Sequence, residues 1–210
     1  METCKKTLIA GLETLNLKLD ETQIEQLLSF ISLLEKWNKA YNLTAIRNKE
    51  AMVSLHLLDS LAIVPFIEGN TVIDIGTGAG LPGIPLAIYF PSIQFTLLDS
   101  NAKKTRFVQQ AILELKLKNV TVSHSRVEDY HPEYFYDILI TRAFASLEDI
   151  VAWTAHLIND QGAILAMKGQ SSDIPELNHA KTTLIPIEVP GIEAERCLVK
   201  IQLTQQLEER

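Results

Sequence analysis

Cysteine is scarce in this chain: Cys4 and Cys197 are the only two in 210 residues. Two cysteines build neither a disulfide framework nor a zinc centre, and no Cys-x-x-Cys pair occurs. The five histidines lack metal-ligand spacing, so no metal is expected. No apolar run approaches the roughly 18 residues of a membrane span. The opening M-E-T-C-K-K-T has no apolar signal core. A cytoplasmic protein with reduced thiols and no membrane association is the expectation. Positive charge is in the minority, 19 Lys and Arg against 26 Asp and Glu, for a net charge of −7. That balance argues against tight non-specific binding to nucleic acid, which rests on many phosphate contacts. It leaves room for a local basic surface. Internal repeats and low-complexity segments are absent too.

What is present is ample core material, 47% hydrophobic residues, in two patterns. Residues 1–68 read as a helical appendage. Asp20 and Gln23 form a capping-box pair, and Ile24, Leu27, Leu28, Ile31 and Leu34 follow at helical spacing. A second helical stretch runs from about Glu50 to Val64 and ends at Pro65. Glu68-Gly69-Asn70 is a turn and a boundary. Residues 69–210 then alternate strands and helices. Strands are expected at Thr71–Ile75, Gln94–Asp99, Val120–His124, Tyr136–Thr141 and Ala163–Lys168, with a terminal antiparallel pair at Leu184–Val189 and Cys197–Leu203. Helices are expected at Pro82–Phe90, Asn101–Leu115 and Leu147–Ile158. This order implies an α/β, Rossmann-like domain: a mostly parallel sheet with helices on both faces and a terminal antiparallel strand. Ligands of such sheets bind at the carboxyl ends of the strands.

The most telling stretch is D-I-G-T-G-A-G-L-P-G, residues 74–83. A buried strand runs into alternate glycines, Gly76, Gly78 and Gly80, and then into a helix start. Glycine permits positive φ and close approach of backbone to a small molecule, and a helix N-terminus offers free N–H groups. Asp99 ends the next strand about 20 residues on, where a ribose diol is held in nucleotide-binding units. Gly78-x-Gly80-x-x-Gly83 also fits a dinucleotide fingerprint, which leaves a small nicotinamide-dependent oxidoreductase open. Against it, D-I-G-T-G-A-G resembles the first motif of the S-adenosylmethionine-dependent methyltransferases, where an acid such as Asp74 suits the cationic amino-acid end of that cofactor and repels a pyrophosphate. No Tyr-x-x-x-Lys proton-relay pair occurs. A non-catalytic RNA- or protein-binding module on the same fold is a third reading, which the retention of these polar groups disfavours.

Several segments together resemble one family: W-N-K-A-Y-N-L-T (37–44), H-L-L-D-S (56–60), D-I-G-T-G-A-G-L-P-G-I-P-L (74–86), L-L-D-S (97–100), S-R-V-E (125–128), R-A-F-A-S-L (142–147) and M-K-G (167–169). They resemble the glucose-inhibited division protein B family, the ribosomal RNA small-subunit methyltransferases G. The resemblance implies an S-adenosylmethionine-dependent enzyme that methylates N7 of a guanine in a 16S ribosomal RNA loop. Its substrate is then the small ribosomal subunit or an assembly intermediate. It implies that Gly76 and Leu81 contact the cofactor, that Val127 and Glu128 lie beside its adenine, and that Arg142 reaches it as well. The cofactor set is then Asp74, Gly76, Gly78, Gly80, Leu81, Asp99, Val127, Glu128 and Arg142, with Arg142 also the candidate catalytic residue. One departure is Leu55, where many relatives carry a basic residue.

Each candidate has a plainer reading. Asp99 could cap the helix near Asn101, Glu128 could be a solvated loop acid, and Arg142 a surface cation. His56, Asp59 and Lys168 stay open between packing and function. Lys36, Lys39, Arg47, Lys103, Lys104 and Arg106 are candidate RNA contacts. No Asn/Asp-Pro-Pro-Tyr/Phe motif for amine methylation occurs, and neither cysteine sits at a strand end in a loop. A guanine N7 lone pair needs no such group.

Overall fold

A computed structural model describes residues 1–142, 145–169, 177 and 179–204. Ala143 and Phe144 of the R-A-F-A-S-L segment lie outside the described residues. The first 68 residues are helical, as the pattern predicts. Helix α1 spans Glu2–Thr14 and α2 spans Glu21–Tyr41. The capping box is present in full: Asp20 accepts from the Gln23 N–H, and Gln23 accepts from the Asp20 N–H. Asn42, in the left-handed region, ends α2. The second helical stretch is less regular than expected. It runs as α3 (Lys49–Met52), a π-helical segment (Val53–Leu58) and α4 (Asp59–Leu61). Pro65 falls inside a short 3-10 turn, Val64–Phe66.

Seven strands follow: β1 (Thr71–Ile75), β2 (Gln94–Asp99), β3 (Val120–His124), β4 (Tyr136–Arg142), β5 (Ile158–Lys168), β6 (Ala180–Pro186) and β7 (Cys197–Leu203). Their order in the sheet is β3-β2-β1-β4-β5-β7-β6. All pairs from β3 to β5 are parallel; β5–β7 and β7–β6 are antiparallel. The chain builds outward from β1 through β2 to β3, then returns to place β4 on the other side of β1. That reversal opens a crevice at the carboxyl ends of β1 and β4. Helices α5 (Gly83–Tyr89), α6 (Ala102–Leu115) and α7 (Leu147–Thr154) connect the parallel strands.

Several boundaries differ from expectation. Helix α5 starts at Gly83, with Pro82 as its N-cap. Helix α7 stops at Thr154, because a 3-10 turn (Ala155–Leu157) feeds an early, 11-residue β5. Strand β6 begins at Ala180, ahead of the apolar run, because it is an edge strand with an exposed face.

Side chains alternate across the sheet with period 2. Val72 of β1 joins one core with α1, α2, α5 and α6 through Leu8, Leu27, Phe30, Ile84 and Phe107. Ile73 and Ile75 join the opposite core with Leu147 and Ile150 of α7. The helical appendage therefore shares its core with the sheet, so burial of α2 and placement of the site-bearing helices are one energetic event.

Asn119 is the polar fastener of this assembly. It is buried, and its side-chain N–H group donates to the carbonyls of Ala87 (3.1 Å), Phe90 (3.0 Å) and Ile93 (3.0 Å). Those carbonyls close the end of α5. Asn119→Ala is expected to cost about 1–3 kcal/mol, the penalty for buried groups left unpaired. Asn119→Asp is expected to cost more, since a carboxylate would face three carbonyl oxygens. Urea denaturation of both variants checks the order.

Candidate active site

The glycine turn leaves β1 as Gly76-Thr77-Gly78-Ala79-Gly80. Gly76, Gly78 and Gly80 all have positive φ, at 67°, 61° and 80°. A Cβ at Gly78 would meet nothing nearer than the Gly76 carbonyl oxygen at 3.8 Å. It would project into open space. Gly83 has a different task. A Cβ there would lie 2.2 Å from Leu97 Cδ2 and 2.8 Å from Asp74 Oδ2, so glycine lets α5 approach the sheet.

Asp74 organises the turn from beneath. Its Oδ2 accepts from the Thr77 hydroxyl at 2.7 Å and from the Gly83 N–H at 2.9 Å. It is fully buried, and its Oδ1 has no hydrogen-bond partner. Burial pushes its carboxyl up to about 7, against the two hydrogen bonds and the charge of Arg142. Asp99 ties the turn to the next loop. Its Oδ2 accepts from the Gly78 N–H at 2.9 Å and its Oδ1 from the Asn101 N–H at 2.8 Å. Asn101, rather than Asp99, caps α6, accepting from Lys103 and Lys104.

A cavity of ≈ 370 Å³ opens over the ends of β1, β2 and β3. Gly76, Asp99, Val127 and Glu128 line it, four of the residues expected from sequence. Val127 is buried and Glu128 exposed. Lys104 and Trp153 line it as well. Lys104, one of the candidate RNA contacts, has its Nζ 4.0 Å from Asp99 Oδ2. Trp153, on α7, carries no sequence signal. Asp74, Gly78, Gly80 and Leu81 shape the turn without lining this cavity. The donor set fits the cofactor that the resemblance implies: a carboxylate at the end of β2, an open cradle at Gly78, and an unpartnered buried oxygen of Asp74 behind it.

Arg142 stands elsewhere. It extends β4 one residue beyond the Ile75–Thr141 pair, beside Gly76, yet lines a second cavity of ≈ 590 Å³. Its Nη1 donates to Asp59 Oδ2 at 3.1 Å, and Arg196 Nε donates to Asp59 Oδ1 at 3.0 Å. Sequence reading missed Arg196 entirely, because nothing in spacing links it to Asp59. His56 and Asp59 are both buried and both line this second cavity. Burial, then Arg142, lowers His56 to about 4. Its Nδ1 faces the Leu55 carbonyl and therefore carries the proton, while Nε2 accepts from the Thr44 hydroxyl. A neutral histidine so committed is no general base. Lys168 donates to the Ala145 carbonyl at 3.0 Å.

Asp74 and His56 pull stability in opposite directions with pH. Asp74, raised in the fold, stabilises below its unfolded value near 3.8, and that contribution is lost as pH rises to about 7. His56, lowered in the fold, stabilises above 6.5, and that contribution is lost as pH falls toward 4. Asp74→Asn mimics the protonated acid and isolates the first effect. The stability of the natural protein minus that of the variant is expected to fall between pH 4 and 7 and to level off above. Denaturation curves across that range check it; a flat difference means an ordinary carboxyl.

Three comparisons place the chain among known proteins. A family described as rRNA small subunit methyltransferase G, GidB, matches residues 23–196. The ribosomal RNA small subunit methyltransferase G of Hydrogenovibrio crunogenus is 51% identical over 201 residues, covering 94% of this chain and 93% of that protein. Its namesake from Legionella pneumophila is 54% identical over 187 residues, covering 85% and 86%. Among solved structures, the ribosomal protein L11 methylase of Lactobacillus delbrueckii shares the fold, with a TM-score of 0.54 at 14% identity over 75% of this chain and 80% of that one. The oxidoreductase alternative finds no support in these matches. With its glycine turn, Asp99 and the S-R-V-E loop gathered around one cavity, this chain belongs to the GidB family of rRNA small subunit methyltransferases G.

Proposed function

We propose that this protein transfers a methyl group from S-adenosylmethionine to N7 of a guanine in a 16S ribosomal RNA loop. The substrate is the small ribosomal subunit or an assembly intermediate, met in the cytoplasm. The observation that carries the reading is the cavity over the ends of β1, β2 and β3, walled by Gly76, Asp99, Val127 and Glu128, in a chain of this family. Asp99 is the ribose ligand: two backbone N–H groups fix its orientation and leave carboxylate lone pairs for hydroxyl donors. Val127 and Glu128 flank the adenine. Gly76, Gly78, Gly80 and Leu81 form the cradle, and Asp74 supplies negative charge behind it for the cationic end of the cofactor. Arg142 ends β4 beside Gly76 and lines the neighbouring cavity, from where it would reach toward the cofactor.

When bound, S-adenosylmethionine supplies an electrophilic methyl group whose bonding pair leaves with sulfur. The guanine N7 lone pair needs no deprotonation, so the chain's residues position and do not titrate. That agrees with His56 being neutral and committed to Thr44.

Calorimetry tests the cofactor half. Asp99→Ala is expected to weaken S-adenosylmethionine binding by about 1–3 kcal/mol, the worth of a charge-assisted hydrogen bond. Gly78→Val is expected to abolish it, because the side chain enters the cradle and a β-branched residue resists positive φ. No binding by the natural protein at millimolar cofactor defeats the reading.

Mapping of labelled methyl groups tests the substrate half. At −7 the chain is repelled by RNA at long range and needs a shaped, ordered target. A particle presents the loop already ordered, which lowers the entropic cost of binding. Transfer is expected to be efficient on small-subunit particles and poor on protein-free 16S RNA or a hairpin. Equal rates defeat the requirement for a particle, and methyl groups on another atom defeat the chemistry.

A further inference from the structure

The second cavity has a distinctive polar inventory. Its walls come from separate parts of the chain: Leu55 and Asp59 before the sheet, Arg142 at the end of β4, Met167 and Lys168 at the end of β5, and Arg196 before β7. Asp59 is 4% exposed, and each of its oxygens already holds one guanidinium. Arginine and lysine only donate hydrogen bonds. Asp59 thus answers two of the three cations; Lys168 is held by the Ala145 carbonyl and Arg196 also donates to the Glu195 carbonyl, and the N–H groups left over on all three make this wall a donor surface for whatever enters. This cluster carries excess positive charge in a chain of net −7. Between its charged groups, Leu55 and Met167 give apolar surface for the flat face of a ring. Leu55, the departure from the family pattern, contributes surface here in place of charge.

Position adds a second argument. The first cavity lies over β1, β2 and β3; the second lies toward β5 and β7. Only the adjoining ends of β1 and β4 separate them, at Gly76 and Arg142. A methyl group presented from the first side has a short path to an acceptor on the second.

We propose, resting on the methyl-transfer reading above, that this second cavity receives the target guanine, with its carbonyl O6 edge toward the donors of Arg142, Lys168 and Arg196. The same wall rejects adenine. Guanine offers an acceptor oxygen where adenine presents an amino group. An amino donor against guanidinium and ammonium donors leaves both sides unpaired.

The test uses full-length protein, S-adenosylmethionine and small-subunit particles lacking the modification. Two variants are compared with the natural protein: Met167→Trp, which fills the cavity, and Lys168→Met, which removes one donor and keeps the aliphatic length. Cofactor affinity by calorimetry and single-turnover methyl transfer are read for each. Met167→Trp is expected to lower the transfer rate at least about a hundredfold and Lys168→Met about tenfold, the factor for one lost charged contact. Cofactor affinity is expected to stay within about twofold in both. If Met167→Trp also loses cofactor binding, Lys168→Met alone decides. Full transfer rates in correctly folded variants, with the natural protein active, overturn the guanine pocket and leave the methyl-transfer reading intact. A natural protein that binds no cofactor or transfers no methyl group overturns that reading and the pocket with it.

Discussion

One buried carboxylate governs the geometry of the first cavity. Asp74 accepts from Thr77 within the glycine turn and from Gly83 at the start of α5, through the same oxygen. The turn and the helix N-terminus are thereby pinned to the end of β1, and Gly83 is bare enough to let them close. An acid with no exposure and one unpartnered oxygen is costly by itself. The fold tolerates it because α5 is held at both ends. Asp74 takes the first N–H of the helix, and Asn119 takes the carbonyls around its last turn. Strain and desolvation at the site are thus offset by ordinary core packing a turn or two away.

The two acids of the site divide the labour by exposure to ligand. Asp74 works behind the turn and sets its shape. Asp99 works in front, with one oxygen on the Gly78 N–H and the other on the Asn101 N–H, so the turn and the β2–α6 loop move as one wall. Asp59 repeats this logic on the other side of the strand ends, where one carboxylate aligns guanidinium groups from β4 and from the segment before β7. Breaking such a buried arrangement by removing its anion is far more costly than its net contribution to stability. Asp59 therefore serves geometry better than it serves stability.

Local patterns were legible in the sequence; long-range polar pairings were not. The capping box at Asp20 and Gln23, the apolar stripe Phe107, Val108, Ala111, Ile112 and Leu115, and the strand pairing into the glycine turn all follow from periods of 3.6 and 2. The π-helical segment Val53–Leu58 has no such signature. Its apolar residues fit an α-helix equally well, and only packing selects the wider turn. Arg142 illustrates the other limit. Its strand end was predicted, but its partner Asp59 lies 83 residues away in the chain and Arg196 lies 137 residues from Asp59. No one-dimensional pattern encodes a contact of that separation between single charged residues. Trp153 is similar: its helix was visible, and its place on the cavity wall depends on how α7 lies against the sheet.

Charge distribution reconciles an acidic chain with an RNA substrate. Lys36, Lys39, Arg47, Lys103 and Arg106 are all exposed, on the helical layer and on α6, and are free to meet phosphates. Lys104 is drawn instead toward Asp99 at the cavity, and Lys49 pairs with Glu35 at 2.7 Å. The remaining surface is acid-rich: Glu188, Glu193 and Glu195 gather near β6 and β7, lining a groove beside the end of α1. At a distance the net negative charge repels RNA, and the exposed cations act only within about a Debye length of the surface. Affinity then has to come from shape and from the few cations nearest the strand ends. Under the proposed function, net charge works against arbitrary RNA, and a folded particle would be accepted by local complementarity.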